Sequence, residues 1–156
     1  ADYQQVLKMD SDPLRGKAIF EKNCATCHKV GDVGVNVAPD ISDSRTKTPD
    51  FYLMNILDPN RAIDANYFSF NVLDTDGKVH TGIVASETSS AVTLKMPEGK
   101  LVTIDREEIE LFKNNGVSLM PVGLERTINK QQMADVISFI KNWRYLDGQI
   151  PKEVIK

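Results

Sequence analysis

The chain has 156 residues, of which 41% are hydrophobic and 26% charged, with a formal net charge of −3. That length suits one domain with a real core, and those fractions exclude whole-chain disorder. The mildly acidic balance lacks the basic footprint of a nucleic-acid binder, and no apolar run approaches the roughly 20 residues that span a bilayer. Nothing near the N-terminus has the pattern of a signal peptide. A start at Ala1 rather than Met reads as that of a processed or excised product.

Residues 1–10 are polar without period and read as an arm. Asp12-Pro13 then supplies an N-cap and a first helical residue. The helix Leu14 to Asn23 is expected to turn Leu14, Ala18 and Ile19 or Phe20 inward. Gly16 in its middle costs about 1 kcal/mol against alanine. It is either simply tolerated or marks a helix crossing with no room for a Cβ.

This helix delivers the chain into Cys24-Ala25-Thr26-Cys27-His28. The pentapeptide holds both cysteines of the chain and one of its two histidines. C-x-x-C-H is the attachment signature of c-type haem. Two thiols three residues apart on a helical turn both reach the haem edge and add to its vinyl groups, and the next residue aims an imidazole at the iron. Two other readings compete. A redox dithiol of the thioredoxin kind follows a βαβ pattern, whereas here a helix precedes Cys24. Structural zinc takes four ligands, and beyond Cys24, Cys27 and His28 only the distant His80 remains.

Gly31 to Ser44 is loop-like. Thr48-Pro49 opens a second helix to about Leu57, with Leu53, Ile56 and Leu57 on one face, and Asp58-Pro59 stops it. From Tyr67 the apolar period changes to 2. Phe68, Phe70 and Val72 alternate with polar residues, as do Val79, Thr81, Ile83 and Ala85. Val92 and Leu94, then Leu101 to Ile104, follow across turns at Asp74–Gly77, Glu87–Ser90 and Pro97–Gly99. That is an antiparallel meander of four strands, with Ile109 to Phe112 as a fifth. Lys113 to Gly116 reads as a polar break and Val117 to Pro121 as a loop. Asn129 with Gln132 forms a capping pair. The last helix runs to about Leu146 with Met133, Val136, Ile137, Ile140 and Trp143 as its stripe, and Gly148 ends it.

If His28 takes one axial position, the other needs a partner or stays open. Met54 and Met133 lie on helices as core residues, and Met9 lies in the arm. Met96, in a hairpin turn, and His80 are competitors; His80 reads better as an exposed or partly satisfied strand histidine. Met120 is preferred. It sits in a loop before the last helix, far from His28 in sequence, and Pro121 stiffens that loop.

Gly16 and Phe20, Cys24 to His28, Ala38-Pro39-Asp40-Ile41, and Ser118-Leu119-Met120-Pro121 together resemble a class I cytochrome c of the small bacterial type. A closer resemblance, from about Leu14 to Asn142, is to the haem-binding domain family of the Pirellula/Verrucomicrobium type. It rests on residues 55–60, Asp76-Gly77-Lys78, Thr81-Gly82 and residues 118–124. The resemblance implies one covalent haem c with its iron, ligated by His28 and Met120. It also implies that Gly16 and Phe20 meet Phe139 and Trp143, and that the Pro39 carbonyl accepts the His28 Nδ1–H. The implied fold is mainly α: three main helices forming a haem core at about 12–62 and 113–147, with a β-rich insertion at about 66–112, all one domain.

On this reading Phe20, Leu53, Ile56 and Phe139 surround the iron, and Arg45 is either a propionate partner or a solvated surface arginine. The expected role is single-electron transfer, as a carrier or a domain of a larger oxidoreductase, rather than catalysis. The alternative is a haem enzyme or gas-binding domain with an open sixth position. The expected partner is a redox protein, basic to match Asp74, Asp76, Glu87, Glu107, Glu108 and Glu110. The expected location is periplasmic or otherwise exported, since covalent attachment takes place outside the bacterial cytoplasm.

Overall fold

Three capped helices carry the helical part of the molecule, whose computed structural model describes residues 3–146. Helix α1 (Pro13–Asn23) is capped by Asp12, whose carboxylate accepts the Leu14 N–H at 2.8 Å. Thr48 caps α2 (Pro49–Leu57) by accepting the Phe51 N–H at 3.2 Å. The capping box of α3 (Lys130–Asn142) forms as the sequence predicts, with Asn129 and Gln132 exchanging two bonds of 2.8 Å. Trp143–Tyr145 is a 3-10 turn, so α3 ends short of Leu146. Gly148 lies outside the described residues.

Helices α1 and α3 cross at Gly16. A Cβ there would lie 1.8 Å from the Asp135 carbonyl oxygen. This contact corrects the expected inward face of α1. Residues two positions from Gly16 lie about 200° around the helix, so Leu14 is 62% exposed and Ala18 is also exposed, whereas Phe20 is fully buried. The Phe20 and Phe139 rings meet at 5.4 Å. The N-terminal arm is likewise partly ordered. Gln4–Lys8 forms a 3-10 turn that buries Val6 against the α3 core.

Asp135 pins the crossing. Its side chain is 3% exposed and accepts the Asp12 N–H at 2.8 Å, Arg15 Nε at 2.9 Å and Gln131 Nε2 at 3.0 Å. Burial pushes its carboxyl up, but these donors outweigh burial and hold it below the usual carboxylate range. A depressed folded pKa gives stability that is present above the unfolded value near 3.9 and lost as pH falls through the folded one. Asp135→Asn is therefore expected to lower unfolding free energy by about 2 kcal/mol at pH 7. The gap between wild type and variant should shrink as both are denatured at progressively lower pH.

Strands β1 (Lys29–Val30) and β2 (Val33–Gly34) form a small hairpin inside the segment that reads as loop. The larger sheet holds β3 (Phe68–Asp74), β4 (Val79–Glu87), β5 (Ala91–Met96), β6 (Lys100–Asp105) and β7 (Ile109–Ser118), in the order β6-β5-β4-β3-β7. All its pairings are antiparallel. Only residues 106–108 link β6 to β7, a reach of at most about 14 Å. A flat sheet would hold those edge strands about 19 Å apart. The sheet therefore curls into a partly closed barrel, helped by irregularities in β3 and β4. Val72, Val92, Leu94 and Ile104 fill it.

The fold class needs correction. Of the described residues 37% are helical and 29% lie in strands, so the fold is mixed α and β rather than mainly α. Strand β7 accounts for part of the difference. It continues past Lys113 and Asn114, which pair with β3, and through a bulge at residues 115–117, where Gly116 takes φ +69° and Asn115 bonds Ser69 and Asn71 at 3.1 Å, before Ser118 rejoins the ladder. The phase of β4 also differs from expectation. His80 is buried, with Nε2 2.8 Å from Asp74, while Val79 and Thr81 face out.

Candidate functional site

The pentapeptide after α1 is a tight turn whose carbonyls are nearly all engaged. The Cys24 carbonyl accepts the His28 N–H at 2.8 Å, and the Ala25 carbonyl accepts Val35 at 3.2 Å. The Cys27 carbonyl accepts Val37 at 3.0 Å and Ala38 at 2.8 Å, and the Thr26 carbonyl accepts Glu98 at 2.6 Å from the β5–β6 turn. Gly34, at φ +88°, passes so close that a Cβ there would lie 2.0 Å from the His28 carbonyl oxygen. The barrel thus grips the turn that carries both thiols. Glu98, at φ +69°, is the one non-glycine with positive φ among the described residues.

His28 Nδ1 lies 2.8 Å from the Pro39 carbonyl oxygen. A proline carbonyl can only accept, so Nδ1 carries the proton and Nε2 keeps its lone pair. Burial pushes the imidazole below its usual range, partly opposed by the Pro39 bond, and so favours the neutral, ligating form. Burial, reinforced by Cys27, pushes the Cys24 thiol up to about 12. Burial also raises the Cys27 thiol, against a lowering bond from Thr26. A dithiol exchange centre needs a depressed thiol pKa, so this environment disfavours that alternative.

A cavity of about 290 Å³ opens beside the turn. Cys24 and His28 line it together with Pro39, Phe20 and Ile56, and Met120 lines it from the turn after β7. The structure thus brings six of the ten sequence-predicted site residues to one cavity. Cys27, half-buried, is not among the lining residues and packs against the cluster of Val37, Ala38 and Ile83. Leu53 and Phe139 are buried but do not line the cavity. Arg45 is exposed, bonded to Asp43 at 3.1 Å and absent from the lining.

Sequence reasoning missed several wall residues. Tyr52 and Asn55 come from α2, Ile63, Asp64 and Tyr67 from the following segment, and Ile83 from β4. Packing of β4 against Val37 and Ala38 brings Ile83 there, a contact between segments far apart in the chain. Two thiols on one turn, an imidazole with a free lone pair, a thioether and a mostly apolar wall make a donor set that fits haem c. Among the described residues no group of three His, Cys, Asp or Glu could hold a bare metal ion.

A family model described as Cytochrome c matches residues 14–73. The match spans α1, the pentapeptide, Pro39, α2 and β3, and stops short of Met120. It supports a c-type cytochrome: a haem-binding, electron-transfer role with covalent haem c and its iron. No curated protein matches the chain. No helix among the described residues is long and apolar enough to cross a membrane.

Proposed function

We propose that the protein is a mono-haem c-type cytochrome that passes single electrons, of the Pirellula/Verrucomicrobium haem-binding type. It is one domain, with its haem core at about 12–62 and 113–147 and the β-rich insertion at about 66–112. The observation that carries the reading is the pairing of Cys24-Ala25-Thr26-Cys27-His28 with a His28 imidazole oriented by Pro39, beside a cavity that also receives Met120. Cys24 and Cys27 would form the thioether links, and His28 and Met120 would hold the iron. Haem c, when bound, supplies the one-electron ferric/ferrous couple. Pro39 holds the imidazole in its ligating tautomer and raises its basicity. Phe20, Ile56, Ile63, Ile83 and Ile140 exclude water, which favours the state of lower charge.

The protein acts in the periplasm or otherwise outside the cytoplasm, and its partner is a redox protein. Of the acidic barrel residues expected to face it, Asp74 is bonded to His80 and Glu87 to Arg106; Asp76, Glu107, Glu108 and Glu110 are exposed, and the last three lie together at the start of β7. A basic partner surface suits those three. Changing all three to lysine should slow transfer about tenfold at low ionic strength, with the loss fading in salt. An unchanged, salt-independent rate would remove that partner. The main test is intact mass together with a visible spectrum, with and without reductant, of protein made in a host competent in cytochrome maturation. One haem mass and a spectrum that changes on reduction are expected. A colourless protein at the bare-chain mass overturns the reading.

A further inference from the structure

Met120 stands two residues beyond β7 and ten before the first residue of α3. Its short tether is therefore the barrel, and four contacts hold that tether. Ser118 pairs with Phe68 as the outermost rung of the β3–β7 ladder. Leu119 packs in the cluster of Val37, Ala38 and Ile83 that also holds Cys27. The Ser118 N–H donates to Asn60 Oδ1 at 2.8 Å, and the Ser118 hydroxyl accepts the Met120 N–H at 3.1 Å. Asn60 follows directly on Pro59 at the cavity wall, just past the end of α2. The Asn60–Ser118–Met120 relay is thus a direct bond between the helical half of the cavity and the strand that carries the thioether.

We propose that Asn60 is the positioning residue for the sixth ligand: through Ser118 it fixes the end of the barrel, and so the Met120 side chain, over the cavity. The proposal rests on Met120 being the axial ligand. Without the bond, β7 still pairs with β3, so the protein stays folded while the turn gains freedom. With haem bound, Met120 would then be held less firmly, and small ligands would reach the iron more readily.

The experiment uses holoprotein with Asn60→Ala, Asn60→Asp, Ser118→Ala and, as control, Met120→Ala. Three quantities are read: the rate of carbon monoxide binding to the reduced form, the weak red-edge band of sulfur-to-iron ligation, and thermal unfolding. Asn60→Ala and Ser118→Ala should each bind carbon monoxide about fivefold faster, as expected for the loss of one hydrogen bond. Asn60→Asp keeps an acceptor oxygen and should stay within about twofold of wild type. If Met120→Ala loses the band but Asn60→Ala and Ser118→Ala bind carbon monoxide at the wild-type rate, the positioning role is wrong and the ligand assignment stands. If Met120→Ala keeps the band, the ligand assignment fails and the positioning role fails with it. A loss of thermal stability in Asn60→Ala equal to that in Asn60→Asp, with no difference in binding between the two, also overturns the proposal.

Discussion

Replacing Met120 with alanine should abolish the red-edge band, lower the reduction potential and let the reduced protein bind carbon monoxide rapidly. No other methionine and no second histidine lines the cavity. His80 is buried in the barrel and bonded to Asp74. Met133 is fully buried in the α3 core, and Met9 packs against that same core. Met96 ends β5, outside the cavity lining. If Met120 is the second iron ligand, removing the thioether would leave one iron position without a protein ligand. A thioether favours ferrous iron, so its loss lowers the potential. A spectrum and a redox titration of the variant check both effects. Persistence of the band would return Met96 to consideration and require the β5–β6 turn to move.

Gly16→Ala should be the most damaging single methyl addition to the helices. On a solvated helix face this substitution gains up to about 1 kcal/mol from propensity. Here the new Cβ would lie 1.8 Å from the Asp135 carbonyl oxygen and 2.9 Å from the Phe139 Cβ. The oxygen belongs to helical backbone, so no side chain can rotate away. Helices α1 and α3 must separate, which loosens the Phe20–Phe139 contact beside the cavity. A net loss of about 3 kcal/mol is expected, a large part of the stability of a domain this size. Denaturant unfolding of the holoprotein measures it, with Ala18→Gly on the exposed face as a control that should lose about 1 kcal/mol. A gain in stability for Gly16→Ala would mean that the crossing is not as close as the structure shows.

Local chemistry was legible in the sequence wherever it depends on residues near one another along the chain. The caps Asp12, Thr48 and Asn129 act through side chains two or three positions from their targets, and all three form. The turns at Asp74–Gly77 and Pro97–Gly99 depend on Gly77 and Gly99, both at positive φ. The attachment turn announced itself because two thiols and an imidazole must sit at fixed spacing to serve one group.

What spacing could not reveal were contacts set by distant segments. Leu14 and Ala18 read as inward, yet Gly16 decides which way α1 faces, and it does so by touching Asp135 on another helix. His80 read as an exposed or partly satisfied strand residue; its burial and its Asp74 partner across the hairpin lay beyond a single-strand pattern. The polar run at Lys113 to Gly116 read as a break, yet Lys113 and Asn114 pair with the β3 backbone and only residues 115–117 bulge out of the ladder. The sequence by itself determined the attachment turn, the helix starts and the strands of the meander, because each is fixed by bonds over a few residues. Only the tertiary structure decided that the strands curl into a barrel that grips Thr26 and carries Met120. That curl follows from a three-residue link between the two edges of the sheet, a constraint that acts only once all five strands are paired.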